Sequence, residues 1–312
     1  MLDIAQAIGQ IILLFALSFT ISALVQAGFY QFLLRKITNL TSTWRNLPSN
    51  IYLLLSALPL CIALLTVLVL FNPNLFPNIV LPHCHGNNCQ PHAMTLPENH
   101  APLHYLTALL LMILFVIFTL VIRQVRLAKS YLLALRNFSK ETQQGFKVID
   151  SNKPLAWCAG VLKPEIFVSS QLIKTLSQQQ LSLVLAHELA HKLHKDNLRK
   201  LLVSWLTKVW PKQIAANFYR RFSNTLEIEA DVRALQQIEA TDLNTYCQTI
   251  EACCQCSSQS QRSTLAQLQL TQQFNTRRLV FRLTISIVAL AGALLLLIYL
   301  ARFLHPIIEW LG

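Results

Sequence analysis

Four stretches of this 312-residue chain are long and apolar enough to cross a lipid bilayer. They cover about Ile11–Leu34, Ile51–Phe71, Leu103–Ile122 and Leu279–Leu304, and a spanning helix needs about 20 residues. Apolar residues make up 54% of the chain and charged residues 13%. A soluble domain carries about 25% charged residues, so much of this chain must face something other than water. The first run reads as a retained span, not a leader. Asp3 is its only early charge, it has no small-residue cleavage site, and it ends in Arg35-Lys36.

The net charge of +12 suggests a nucleic-acid binder, but its placement argues for a membrane protein. Of the 26 Lys and Arg residues, 21 lie between Arg123 and Arg278, and the other five flank apolar runs. No RNA- or DNA-binding motif accompanies them, so no direct nucleic-acid contact is expected. Lys and Arg collect on the cytoplasmic side of membrane spans. Arg35, Lys36 and Arg45 separate the first two runs, Arg123, Arg126 and Lys129 follow the third, and Arg277 and Arg278 precede the fourth. The segment Asn72–His104 has neither residue type. The expected layout is a membrane region over residues 1–122 with an outside loop at 72–102, a cytoplasmic domain over 123–278, and a last span with a short tail over 279–312. Both termini then lie outside.

Within the cytoplasmic part, the third run is expected to continue as helix to about Gln144 and stop at Gly145. Phe146–Asp150, Leu155–Cys158 and Glu165–Ser169 read as strands of a small sheet, broken by Asn152-Lys153-Pro154 and by Gly160 to Pro164. Ser177 and Gln180 form a capping box. The helix behind it is apolar nearly all round to His191 and is expected to run on towards Trp210, with Pro211 as its stop. Another helix should cover about Ile214–Glu239, and Thr241-Asp242 should cap one more. Residues Gln255–Gln273 are polar. The fold class is mainly α: about four transmembrane helices plus an α+β domain.

The chemistry is carried by His187-Glu188-Leu189-Ala190-His191. Histidines at i and i+4 share one helix face and can both reach one zinc ion, and Glu188 can take a proton from the zinc-bound water. Zinc brings the pKa of that water towards about 7 and polarises a carbonyl. Two histidines and a glutamate in a buried helix are costly without such a partner. A catalytic site needs a third protein ligand and one open position. Glu227 is the best candidate, because Glu227 and Asp231 share a face of their helix while Glu229 points elsewhere. Asp231 can accept a hydrogen bond from the free ring nitrogen of a ligand histidine.

Taken together, His187–Asp196 (HELAHKLHKD), Cys158–Ser169 (CAGVLKPEIFVS) and Glu227–Asp231 (EIEAD) resemble the BlaR/MecR-type membrane metallopeptidases. These are similar in turn to HtpX and Ste-type proteases. The resemblance implies a gluzincin-like zinc endopeptidase of the bacterial inner or plasma membrane, with one Zn2+ on His187, His191 and Glu227 and with Glu188 as general base. It also implies cleavage of a cytoplasmic or membrane-adjacent protein in signal transduction, such as a transcriptional repressor or the chain itself. The penicillin-binding sensor domain that follows the last span in those receptors has no counterpart before Gly312. An HtpX-like quality-control protease and a non-enzymatic metal-binding sensor are the alternatives. Ile166, Phe167 and Val168 form either an edge strand on which an extended substrate pairs or an internal strand.

Weaker signals remain. His83, Cys84, His85, Cys89 and His92 crowd the outside loop. They suit a copper(I) or zinc site, a Cys84–Cys89 disulfide in an oxidising compartment, or an inert loop. Cys247, Cys253, Cys254 and Cys256 lack zinc-ribbon spacing and read as free thiols, and Cys61 and Cys158 as packing residues. His194 reads as solvated. Trp205 and Trp210 suit an interfacial helix or a packed core.

Overall fold

The computed structural model describes residues 2–37, 47–72, 76, 79, 83–85, 88–90, 101–142, 145–237, 249, 288–289 and 291–304. The chain divides into two compact units. One contains Met1–Leu120, Trp205–Ala216 and Leu279–Gly312, and the other Val121–Ser204 and Asn217–Arg278.

In the first unit, α1 (Leu2–Ile37) and α2 (Ser49–Phe71) lie against each other. Their seam is made of small and hydroxyl residues: Ser18, Ser22, Ala23 and Ala27 are fully buried on α1, and Ser56, Ala63 and Thr66 on α2. Small side chains let two helix backbones approach closely where lipid offers no hydrophobic drive. Pro59 sits inside α2. It has no N–H, so the carbonyl of Leu55, one turn earlier, loses its helical donor. The Gln26 side-chain amide of α1 donates to that carbonyl, and the Ser22 hydroxyl donates to the Pro59 carbonyl at 3.3 Å. A third helix, Ala291–Leu304, adds Leu297, Leu300, Ala301 and Leu304 to a core with Leu14, Ile62, Val69 and Leu70. Trp210 is buried in this unit with its ring 6.1 Å from Tyr30, so it packs in a core.

Among the described residues, three helices are long and apolar enough to span a membrane: Ile11–Phe32, Ser49–Phe71 and Leu111–Asn137. The last belongs to α3 (Ala101–Asn137), whose Phe115, Phe118 and Leu120 are exposed, as lipid contact requires. Residues 279–287 and 290 of the fourth expected span lie outside the described residues, as do Thr241, Asp242 and Gln255–Gln273. Between α2 and α3, β1 (His83–His85) and β2 (Asn88–Gln90) form an antiparallel pair.

In the second unit the α3 helix stops at Asn137, seven residues before the expected Gln144. Ser139–Glu141 is instead a strand, β3, paired antiparallel with β4 (Lys147–Ile149). Gly145, at φ 79°, closes that hairpin and does not cap a helix. β5 (Ala156–Ala159) and β6 (Glu165–Ser169) complete a sheet of order β3-β4-β6-β5. Gly160, at φ 104°, makes the β5–β6 turn; a Cβ there would lie 2.9 Å from the Lys163 carbonyl oxygen. β6 pairs in parallel with β4 and antiparallel with β5. Ile166, Phe167 and Val168 are therefore internal, not an edge. Phe167 and Val168 are fully buried, as a central strand demands.

A short helix, α4 (Ser170–Thr175), leads into α5 (Gln178–His194), which opens with the Ser177–Gln180 capping box. Leu181, Val184, Leu185 and Leu189 of α5 pack on Phe146, Ile166, Val168 and Leu172. That contact seats α5 on the sheet. The expected continuous helix to Trp210 is broken at Lys195, which takes the left-handed conformation at φ 51°. α6 (Asp196–Leu206) starts there, and α7 (Lys212–Gln237) follows Pro211. Phe218, Phe222, Leu226, Ala230 and Ala234, spaced by four along α7, are buried, and Ala234 packs against Leu183 and Ala186 of α5.

Candidate metal centre

Helix spacing puts His187 and His191 one turn apart on α5, with rings 4.7 Å between centroids. α7 brings Glu227 to the same place. The three ligand atoms lie within 4.8 Å of one another. The two Nε2 atoms are 3.1 Å apart, and Glu227 Oε2 lies 3.2 Å from His191 Nε2 and 3.6 Å from His187 Nε2. Ligands at about 2.0–2.1 Å from a tetrahedral zinc lie about 3.3–3.4 Å from each other. The triangle has that size.

The other ring nitrogens explain why these three atoms converge. His187 Nδ1 is 2.8 Å from Asp231 Oδ1, and His191 Nδ1 is 2.7 Å from Asp196 Oδ2. A carboxylate partner makes each Nδ1 the protonated donor, which leaves both Nε2 atoms as lone-pair acceptors. Two lone pairs and a carboxylate oxygen then face one point, an arrangement that needs a cation or added protons. The donor set, two imidazoles and one carboxylate, suits zinc.

Without a metal, protons fill that need. Burial alone would lower the His187 pKa, but hydrogen bonds to Asp231 and Glu227 outweigh it and raise it to about 10. His191 is raised in the same sense, burial being outweighed by Asp196 and Glu227. Glu227 is held far below the usual carboxylate range, because the two histidines and Lys200 overcome its burial. Lys200 Nζ donates to Glu227 Oε1 at 3.0 Å, leaving Oε2 to face the imidazoles. The Glu227 side chain is 47% exposed and that of His191 11%, so the group opens to solvent on the Glu227 side.

Glu188 is buried beside His187, and burial raises its carboxyl pKa, offset in part by the two histidines. It accepts a hydrogen bond from the Cys158 backbone N–H on β5. The Cys158 and Gly160 carbonyls in turn accept from Asn197 Nδ2 at 2.9 and 3.0 Å. Burial, with Glu188 nearby, pushes the Cys158 thiol up to about 12, so it stays protonated.

Residues 122–250 match Peptidase family M48. No curated protein matches the chain. The M48 match contains α5, α6 and α7 and every residue of the centre, and it indicates a metallopeptidase.

Within the M48-matched segment, the structure gathers His187, Glu188, His191, Glu227 and Asp231. Glu229 pairs with Arg233 at 3.1 Å instead, and His194 is exposed and outside the group. His83, Cys84, His85 and Cys89 have described backbone in β1 and β2, and His92 lies outside the described residues. Asp196 and Lys200 carry no chemical signal of their own in the amino-acid sequence. Asp196 follows the unforeseen break at Lys195, which carries no glycine signal. Lys200 looks like any helix cation until α7 is placed beside it.

Proposed function

We propose that the chain is a membrane-anchored zinc endopeptidase that cuts a cytoplasmic or membrane-adjacent protein. The observation that carries this reading is the convergence of His187 Nε2, His191 Nε2 and Glu227 Oε2 at tetrahedral-ligand separations. His187, His191 and Glu227 would hold a zinc ion there, and it would supply Lewis acidity towards water and the scissile carbonyl. Glu188 takes the proton of the attacking water on its carboxylate and returns it to the leaving amine, a role that its raised pKa suits. Asp231 and Asp196 fix the imidazole tautomers, and Lys200 turns one oxygen of Glu227 towards the ligand triangle. The strand beside Glu188 is β5, paired only with β6 among the described residues. An extended substrate therefore pairs along Ala156–Ala159, not on β6.

The biased placement of Lys and Arg supports a cytoplasmic catalytic unit with both termini outside. A role in signal relay is supported by α3, one continuous helix that carries a membrane-spanning window. Near its end, Arg136 makes a two-pronged ion pair with Glu165 of β6, both contacts at 2.9 Å. The substrate in this reading is a repressor or the chain itself.

The test uses the full chain in lipid nanodiscs with an unfolded protein such as casein. Internal cleavage that chelation stops and zinc restores is expected. Cleavage indifferent to chelation, or release of terminal residues only, contradicts the reading. For the signalling role, cells expressing Glu188→Ala should accumulate one discrete uncut protein. Accumulation of many unrelated membrane proteins would favour quality control.

A further inference from the structure

The β1–β2 hairpin bears directly on the His/Cys-rich segment that the metal centre leaves unexplained. Its register sets His83 opposite Gln90, Cys84 opposite Cys89 and His85 opposite Asn88. Directly opposed residues of an antiparallel pair have Cα atoms about 4.5 or 5.5 Å apart, depending on the hydrogen-bonding pattern. Both values fall inside the window of about 4.4–6.8 Å that a disulfide requires. Successive strand residues belong to opposite faces of the pleat. Cys84 and Cys89 therefore share one face, while His83 and His85 share the other with Gln90 and Asn88. A tetrahedral site made of both cysteines and both histidines would need all four on one face. The register separates the two kinds of residue.

We propose that Cys84 and Cys89 form a cross-strand disulfide, which makes the loop between α2 and α3 a redox site. This rests on the proposed orientation, which puts residues 72–102 in an oxidising outer compartment. The bond forms by exchange with an external disulfide, of a protein or of a small molecule. The Cys84 thiolate attacks one sulfur of that oxidant and expels the other as a thiolate. The Cys89 thiolate then attacks the Cys84 sulfur of the mixed disulfide, and the second oxidant sulfur leaves as a thiolate. The oxidant gains two electrons and the two protons of the hairpin thiols, and its two sulfurs end as thiols.

The full chain is to be alkylated in intact cells, denatured with alkylating agent present, digested with pepsin and mapped by mass spectrometry without reductant. Cys84 and Cys89 should be recovered unalkylated in one cross-linked species, and both should be alkylated once reductant is added first. In Cys84→Ser, Cys89 should be alkylated without reduction, and the reverse in Cys89→Ser. A membrane-impermeant maleimide, added to intact cells after reduction, reports the side of the membrane. If it reaches both residues yet they are alkylated without reduction, the disulfide is refuted and the orientation stands. If it reaches them only after lysis, the orientation fails and takes the disulfide with it. Protection that a chelator releases, and a reductant does not, would overturn the proposal in favour of a metal loop.

Discussion

The α1–α2 pair and the α5–α7 pair both bury polar side chains between helices, and they do so to opposite ends. In the first, the polar groups that are bonded have neutral partners, although Ser18 Oγ and Gln26 Oε1 are buried without one. The Gln26 amide donates to the carbonyl that Pro59 frees, and the Ser22 and Thr66 hydroxyls donate to backbone carbonyls. In the second, the partners are charged, and they leave three acceptors aimed at one another. Asp231 and Asp196 hold the Nδ1 atoms and Lys200 holds one oxygen of Glu227, while the remaining Nε2 and Oε2 atoms lie 3.1–3.6 Å apart. A seam whose donors go to neutral backbone carbonyls builds a helix pair. A seam that leaves acceptors facing each other builds a place for a cation.

Breaking the second seam at its chemistry should have the largest effect. Glu188→Gln removes the proton carrier without touching a ligand atom, so peptide cleavage should fall by about 10²–10⁴-fold while zinc content stays at that of the wild type. Metal analysis beside the cleavage assay checks both halves; loss of the metal together with activity would assign Glu188 a ligand or structural role.

Removing a ligand comes next. Glu227→Ala should weaken zinc by more than the roughly 10–100-fold that loss of a supporting group produces, as read by competition with a chromophoric chelator. Asp231→Asn and Asp196→Asn should each fall within that 10–100-fold range. Asp196 is fully buried and also bound to Arg199 at 3.1 Å. Asp196→Ala should therefore cost about 3–5 kcal/mol of stability besides its effect on zinc, because it strands a charge. Equal zinc affinity in Asp231→Asn and wild type would remove the tautomer argument.

Acidity sharpens the same contrast. In the metal-free protein the His187 pKa is raised to about 10, so below that value a proton occupies the position that zinc needs. Zinc affinity should rise about tenfold per pH unit for each proton displaced, levelling near pH 10. The sign for stability is opposite. The contribution of His187 to the metal-free fold is complete below about 6.5 and is lost as pH rises through about 10. Thermal melts with and without zinc should therefore diverge as pH rises across that window, because the zinc-free fold loses this contribution while zinc binding strengthens. The membrane seam should respond least. Gln26→Leu removes one intramembrane hydrogen bond and should cost about 0.6–1.7 kcal/mol with cleavage unchanged.

Short-range patterns made much of this architecture legible. The paired histidines, the Ser177–Gln180 box and the positions of β4, β5 and β6 each depend on residues within a few places of one another. What escaped depends on distant partners or on backbone choices that the side chains do not advertise. Gly145 can end a helix or close a hairpin, and only β4 pairing with β3 decides between them. The rank of β6 in the sheet depends on strands that lie before and after it in the chain, so Ile166–Val168 could be placed inside only once the order was known. Lys195 adopts a left-handed conformation without being Gly or Asn. That turn carries Asp196 back to His191, and so the brace of the second histidine was hidden while that of the first, Asp231, could be read from helical spacing.

X-ray absorption at the zinc edge of the loaded full chain offers the sharpest look at this centre. Only nitrogen and oxygen neighbours should be seen, at about 2.0–2.1 Å, with the outer-shell signature of two imidazole rings. A sulfur neighbour at about 2.3 Å, or a single imidazole, would mean that the metal sits elsewhere and that the His187–His191–Glu227 triangle is not its home.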